Sequence, residues 1–169
     1  MLEIINNLKP FFEDCYRRIG VREYSRIARI SPPTASKTLN KYYKEDLLRM
    51  EKDRNYLFFY ANRENKAFID LSRIYWAFQI KHLIDFLYET LVSPTVILFG
   101  SLSKGETKKD SDIDLAVFAH KKKLNLQIFE NKLNRKIQLF WFKSIYDIKE
   151  KELANNVMNG YLIKGRMRL

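Results

Sequence analysis

Two aspartates one residue apart, Asp112 and Asp114, lie at the start of a stretch that otherwise reads as a buried β-strand. Successive side chains on a strand point to opposite faces, so these two carboxylates share one face and Ile113 takes the other. Neighbouring negative charges repel, and burying them without compensation costs several kcal/mol, order of magnitude. A positive group is therefore expected between the two carboxylates.

The residues before this pair complete a layout for holding a phosphate-bearing ligand through a metal ion. An apolar strand predicted at 95–99 leads into Gly100 and Ser101, which offer a close backbone approach and a hydroxyl to phosphate oxygens. A second strand is predicted at 113–118. Mg²⁺ prefers one or two carboxylates together with phosphates and water. We therefore predict that Asp112 and Asp114 bind Mg²⁺, which relieves their repulsion and neutralises charge on a transferring phosphoryl group. The further residues predicted to bind nucleotide are Lys104, Gly105 and Ser111.

This arrangement, Gly100-Ser101, ten residues and then Asp112-x-Asp114, resembles the signature of minimal nucleotidyltransferases of the DNA polymerase β superfamily. The similarity runs from Val96 to about Phe142 and on to the NGYLIKG segment near the C-terminus. It implies transfer of a nucleoside monophosphate, AMP from ATP, with Asp112 and Asp114 as catalytic and metal-binding residues. Small prokaryotic relatives further imply an antitoxin-like role in which AMP is transferred to a toxin partner carrying a HEPN domain.

One position departs from the pattern of active relatives, which carry a third carboxylate on the strand after the intervening helix. In the segment RKIQLFWF, alternation places Gln138 there. An amide activates an incoming hydroxyl less well than a carboxylate, and general acid–base help is worth about 10²–10⁴-fold. The change therefore slows transfer without abolishing nucleotide binding, unless another acid such as Glu130 or Asp147 substitutes.

The first half of the chain predicts a different kind of domain. Its first amphipathic helix places Tyr24, Ile27 and Ala28 on one apolar face. Helix, turn, helix and β-hairpin is the order of a winged helix-turn-helix, and residues 9–68 resemble the winged-helix domains of prokaryotic transcriptional regulators. The elements are a helix at 21–30, a helix that begins with Ser31 as N-cap and Pro32 in its first turn, and strands at 47–50 and 56–60.

The charge of the chain favours a polyanionic partner. The formal net charge is +11, and residues 17–66 carry thirteen Lys and Arg against six Asp and Glu. On a recognition helix and wing this surplus suits contacts with DNA phosphates, although a winged helix can also serve protein contacts. The predicted DNA-binding residues are Thr34, Ser36, Lys37, Lys41 and Arg54.

The predicted fold class is a two-domain α+β chain. A winged helix-turn-helix spans residues 1–69, and a small mixed α/β nucleotidyltransferase fold spans 92–169. A connecting helix at 70–91, with Asp70 as N-cap, joins them. Because this helix is apolar on more than one side, it could also pair with a second copy to give a homodimer.

Composition excludes several other classes. Cys15 is the single cysteine, so an intrachain disulfide is excluded. His82 and His120 lack the spacing of zinc ligands. The chain has neither an apolar run of about 20 residues nor a secretory signal pattern, which predicts a cytoplasmic protein without a membrane partner.

Three functional readings follow from these patterns. The first is a nucleotidyltransferase enzyme that uses NTP, with ATP expected, and Mg²⁺. The second is a DNA-binding regulator whose nucleotidyltransferase fold senses nucleotide, a reading that Gln138 supports. The third is an antitoxin-like protein that binds a toxin and in which catalysis is optional.

Overall fold

The computed structural model describes residues 2–167, and the chain divides into two compact units. Unit 1 comprises residues 2–72 together with the short segment 105–109. Unit 2 comprises residues 73–104 and 110–167. Both units combine helices with a β-sheet, as the α+β fold class predicts.

Unit 1 is built from helices and a three-stranded antiparallel sheet of order β1-β3-β2. The strand β1 has only two residues and was not predicted. The elements are α1 (Glu3–Glu13), β1 (Ile19–Gly20), α2 (Val21–Ala28), α3 (Pro32–Lys44), β2 (Leu48–Asp53) and β3 (Tyr56–Ala61).

Local signals explain how α2 and α3 begin and end. The Ser31 side chain accepts a hydrogen bond from Thr34 N, and Pro32 is the first helical residue, so the predicted start of α3 is confirmed. Tyr24 is fully buried, whereas Ile27 is 41% exposed, which corrects the predicted apolar face of α2. Tyr24 and Ser25 form the buried side of this short helix, and a helical step of about 100° per residue turns Ile27 away from Ser25.

The hairpin of β2 and β3 is longer than the sequence pattern predicts. The two strands pair in register from Leu48 opposite Ala61 to Asp53 opposite Tyr56, which leaves a two-residue turn. The first turn residue, Arg54, has φ of 53°, in the left-handed region that such tight turns require.

The predicted single helix at 70–91 is wrong in two respects. Two helices are present, α4 (Lys66–Gln79) and α5 (Lys81–Thr90), and the buried Ile80 separates them. The helix also begins earlier than predicted, because Asn65 Oδ1 accepts a hydrogen bond from Phe68 N at 3.1 Å. Asn65 therefore caps α4, and Asp70 lies within it, bonded to Lys66 one turn before.

A segment distant in sequence completes unit 1. The backbone N–H of Cys15 donates to Thr107 O at 2.8 Å, and Cys15 is buried as a free thiol. The Tyr16 ring lies against two cations, with Arg63 Cζ 4.1 Å and Lys108 Nζ 5.4 Å from its centroid. Residues 105–109 are thus an integral part of this unit.

Unit 2 contains a four-stranded mixed sheet of order β6-β5-β4-β7, in which β5 and β6 are parallel and the other pairs are antiparallel. Strands β4 and β5 have the bounds predicted from the sequence. The elements after α5 are β4 (Thr95–Phe99), α6 (Gly100–Lys104), β5 (Ile113–Phe118), α7 (Gln127–Leu133), β6 (Ile137–Phe142), a 3₁₀ turn (Ile145–Asp147), α8 (Lys151–Met158) and β7 (Tyr161–Lys164).

The central strands of this sheet are buried on both faces. On one face, Ile97, Phe99 and Ala116 pack with Ile148 and Val157, which follow β6 in the chain. The alternating neighbours of these strand residues, Val96, Leu98, Leu115 and Val117, are also fully buried. Only the ends of β4 and β5 are free to carry polar groups, and the acidic pair lies at one of them.

No helix within residues 2–167 combines the length and the apolar character that a membrane crossing demands.

Candidate functional site

The two aspartates lie at the start of β5, where β4 ends. Asp112 directly precedes the strand, and Asp114, its second residue, pairs with Phe99, the last residue of β4. Ile113 is fully buried, whereas both aspartates are half-buried. Strand alternation therefore directs Ile113 into the core and leaves the two carboxylates partly accessible to solvent.

Gly100 lies directly against the Asp114 carboxylate. The backbone of Gly100 has φ of 70°, and a Cβ built on it would lie well inside the van der Waals contact distance to Asp114 Oδ2. Glycine is required at this position both for the left-handed backbone and for the space. The sharp turn from β4 into α6 is held by Ser103 Oγ, which donates to Gly100 O at 3.0 Å.

The Asp114 carboxylate is a negative charge without compensation in the described part of the chain. Burial, and secondly the charge of Asp112, raise the pKa of Asp114 to about 6. Within residues 2–167 no protein group donates a hydrogen bond to this carboxylate. The site thus holds a partly desolvated carboxylate next to a second acid, an arrangement that favours a bound cation.

Gln138 is the neighbour of the pair on the next strand. It lies opposite Asp114 in the parallel register of β5 and β6. Its Nε2 donates to Asp112 Oδ2 at 2.6 Å, and its side chain is exposed. Gln138, the position at which the sequence departs from the pattern of active relatives, therefore contacts Asp112.

Neither of the alternative acids is free to replace Gln138. Glu130 Oε1 accepts a hydrogen bond from Ile137 N at 3.0 Å. Asp147 Oδ2 accepts from Lys143 N and Ser144 N, and it follows the opposite end of β6. Both carboxylates are used to hold local backbone.

The other predicted nucleotide-binding residues have different surroundings. Ser101 lies half-buried in the first turn of α6, next to Gly100. Lys104, at the end of that helix, donates to Asn156 Oδ1 at 2.8 Å. Ser111 O accepts a hydrogen bond from Arg135 Nη1 at 2.6 Å. Gly105 belongs to unit 1, where a Cβ built on it would lie 3.1 Å from Ile69 Cγ1.

Two arginines that sequence reasoning missed hold the backbone around the site. Arg73 Nε donates to Ser103 O at 2.7 Å, which anchors α6. Arg135 bonds to Ser111 O, directly before Asp112, and its guanidinium lies 4.9 Å from the Trp76 ring centroid. These contacts join residues distant in sequence, so no local pattern could have predicted them.

The predicted DNA-binding residues lie in unit 1. Thr34, Lys37 and Lys41 are exposed on α3, and Arg54 is exposed at the tip of the β2–β3 hairpin. Ser36 is half-buried, and its carbonyl accepts a hydrogen bond from Asn40 one turn later. Lys41 lies 4.0 Å from Glu45, whereas Lys37 and Arg54 have no ion-pair partner within residues 2–167.

The donor set of the acidic site fits Mg²⁺ better than a metal that requires several protein ligands. Within residues 2–167, no three His, Cys, Asp or Glu side chains converge on one point. Two carboxylates are enough for Mg²⁺ when phosphate oxygens and water supply its other ligands. The uncompensated Asp114 carboxylate is a suitable ligand for such an ion.

Comparison with known proteins agrees with a nucleotidyltransferase domain in the second half of the chain. The sequence model of the family described as "Polymerase beta, Nucleotidyltransferase" matches residues 81–167, more than half of the chain. The protein therefore belongs to this family of nucleotidyltransferases. Neither a curated protein nor a solved structure matches the chain.

Proposed function

We propose that the protein is a Mg²⁺-dependent nucleotidyltransferase that transfers a nucleoside monophosphate, AMP from ATP, to a protein or another acceptor. The observation that supports this most is the half-buried Asp114 carboxylate, which lies next to Asp112 with no hydrogen-bond donor in the described chain. A retained pair of repelling carboxylates has a clear use when a cation and phosphates join them.

In this proposal each side chain has a defined task. Asp112 and Asp114 hold the metal, which when bound neutralises the charge of the phosphates. Gly100 leaves open the space beside Asp114, and the Ser101 hydroxyl is available to a phosphate oxygen. The Gln138 amide orients Asp112 through its hydrogen bond.

The amide at Gln138 also supports a second candidate, a nucleotide-binding regulator with weak or no catalysis. A neutral amide cannot accept a proton from the acceptor hydroxyl, so the general-base help worth about 10²–10⁴-fold is missing. Binding of nucleotide and metal does not require this proton transfer. The two candidates therefore bind the same ligands, nucleotide and Mg²⁺, and differ in the rate of nucleotidyl transfer.

Incubation with radiolabelled ATP and Mg²⁺ separates these candidates. The protein is tested alone and together with the product of the adjacent gene. The second assay tests a HEPN-domain toxin as one candidate acceptor. Label on protein and pyrophosphate release that disappear in Asp112→Asn establish the transferase. Saturable Mg²⁺-dependent ATP binding without label supports the regulator, and an absence of binding contradicts both.

We further propose that unit 1 is a winged helix-turn-helix that binds DNA. Its element order, helix, short strand, two helices and hairpin, with the sheet order β1-β3-β2, supports this. In such domains the second helix of the pair enters the major groove and the hairpin contacts the backbone. Lys37 is exposed on α3, the second helix of the pair, and Arg54 is exposed at the tip of the hairpin.

Duplex DNA of mixed sequence tests this proposal over a range of salt concentrations. Lys37→Ala with Arg54→Ala should lower the affinity and reduce the slope of log affinity against log salt by about 2, since two phosphate contacts are lost. Lys9→Ala on α1, whose lysine pairs with Glu13, is the matched control. An unchanged slope in the double variant removes these residues from the interface.

A further inference from the structure

Unit 2 has a pocket at the end of its sheet opposite the acidic site. Strand β5 begins beside the two aspartates and ends at Phe118, which lines this pocket. The pocket also contains Thr95, the first residue of β4, and Lys143, which follows β6. Its volume is about 560 Å³, within the range of small-molecule sites.

The Arg166 wall of the pocket is held in place by specific contacts. Gly165 has φ of 95°, and a Cβ there would lie 2.7 Å from Thr95 Cα, so only glycine allows this close approach. The buried Thr95 Oγ1 then donates to Arg166 O at 2.9 Å and accepts from Arg166 N at 3.2 Å. The backbone of Arg166 is therefore fixed at the position where this residue lines the pocket.

The charge of the pocket is positive. Among residues 2–167, its lining includes Lys143 and Arg166 and no carboxylate, and the hydroxyls of Ser93 and Ser144 add polar groups. The nearby Asp147 carboxylate accepts the backbone N–H groups of Lys143 and Ser144. The exposed residues 120–123, His-Lys-Lys-Lys, follow β5 and add to the positive potential at this end of the sheet. This charge distribution attracts an anion.

The pocket also offers aromatic surface. Tyr88 and Phe118 line it, both half-buried, and Lys164 Nζ lies 4.1 Å from the centroid of the Tyr88 ring. A flat ring can pack on such side chains while a phosphate bonds to cations nearby. We propose that this pocket is a second, metal-independent site for a nucleoside phosphate, either a free nucleotide or a unit of a single-stranded nucleic acid.

This site is separate from the acidic one, so it can be tested while the acidic site is disabled. The full-length protein is titrated by calorimetry in a chelating buffer without Mg²⁺, with AMP, adenosine or a short single-stranded oligonucleotide. Lys143→Ala with Arg166→Ala is the test variant, and Lys132→Ala with Lys149→Ala, two exposed lysines outside the lining, is its matched control. Asp112→Asn and Lys37→Ala with Arg54→Ala report on the two sites proposed above.

We expect a phosphate-bearing probe to bind the native protein and adenosine to bind more weakly. The test variant should lose roughly tenfold or more in affinity, because charge-assisted hydrogen bonds are among the stronger polar contacts. The control double variant, Asp112→Asn and the Lys37/Arg54 variant should retain the native affinity. Binding of AMP identifies a free nucleotide as the ligand, and binding of the oligonucleotide alone identifies a nucleic acid.

Two results overturn the proposal. One is that neither AMP nor the oligonucleotide binds without Mg²⁺. The other is binding that is equally strong in the test variant and in its control. Both results are independent of nucleotidyl transfer, because the chelating buffer and Asp112→Asn exclude the acidic site.

Discussion

The Gln138 side chain donates a hydrogen bond of 2.6 Å to Asp112 Oδ2 across the parallel pair β5–β6. This contact places a neutral, exposed amide beside the acidic pair. It also makes Gln138 a position at which charge can be changed without disturbing the core.

Gln138→Glu is expected to raise the rate of nucleotidyl transfer by about 10²-fold, since a carboxylate beside Asp112 can accept a proton from the acceptor. The same change should lower the stability of the metal-free protein, because three carboxylates then repel. Initial rates with labelled ATP and thermal melts measure the two effects. Gln127→Glu, an exposed change on α7, is the control and should leave the rate unchanged.

Asp114→Asn is expected to stabilise the metal-free protein at pH 7, because it removes a half-buried negative charge. Since solvent screens part of the penalty for that charge, the expected gain in the free energy of unfolding is roughly 1 kcal/mol. This corresponds to a rise in melting temperature of about 3 °C. The folded pKa, about 6, exceeds the ordinary value of 3.8, so folding favours the protonated carboxyl. The gain should therefore be full above pH 6 and vanish below pH 4.

The exposed Asp110→Asn is the control for this experiment. It should leave the melting temperature nearly unchanged across the same pH range. A melting temperature of Asp114→Asn that is lower than that of the native protein at pH 7 would show that the carboxylate is compensated.

Mg²⁺-dependent nucleotide binding should weaken as the pH falls below about 6, because a metal ligand must be deprotonated and the pKa of Asp114 lies there. The loss approaches about tenfold per pH unit when one proton competes with the metal. Fluorescence titration with a nucleotide analogue between pH 5 and 8 measures this dependence. A flat profile down to pH 5 contradicts a role for Asp114 as ligand.

Gly100→Ala is expected to destabilise the protein by roughly 2–4 kcal/mol, from backbone strain and from the clash with the Asp114 carboxylate. In the double variant with Asp114→Ala the clash is removed, because the Cβ added at residue 100 then lies 3.4 Å from the Cβ of residue 114. The remaining cost should be roughly 1 kcal/mol of strain. Denaturant unfolding of the four proteins of this cycle measures the coupling, and strict additivity contradicts the close approach.

Local patterns predicted the strands around the site well. Strands β4 and β5 have the predicted bounds because each is a short apolar run with a marked end. Pro94 and Gly100 lie on either side of β4, and Asp112 directly precedes β5. Alternation predicted that Gln138 would face the aspartates, and the register of β5 and β6 places it opposite Asp114. Periodicity is reliable where an element is buried and its ends are marked.

Contacts between distant residues could not be predicted in this way. Arg73 and Arg135 hold the backbone of the site by bonding to carbonyls 30 and 24 residues away, respectively. The sequence around each arginine contains no sign of these partners. The break between α4 and α5 at Ile80 was missed for a related reason, since neither proline nor glycine marks it.

The hydrogen bond from Cys15 N to Thr107 O has a practical consequence for dissecting the protein. No single cut separates the two units, because a fragment that ends before residue 105 retains the helices and hairpin of unit 1 but loses the acceptor for a buried N–H. Such a group left without a partner costs about 1–3 kcal/mol. A truncated fragment of unit 1 would thus be less stable than the same residues in the whole chain, and a swap of unit 1 between proteins must carry residues 105–109 with it.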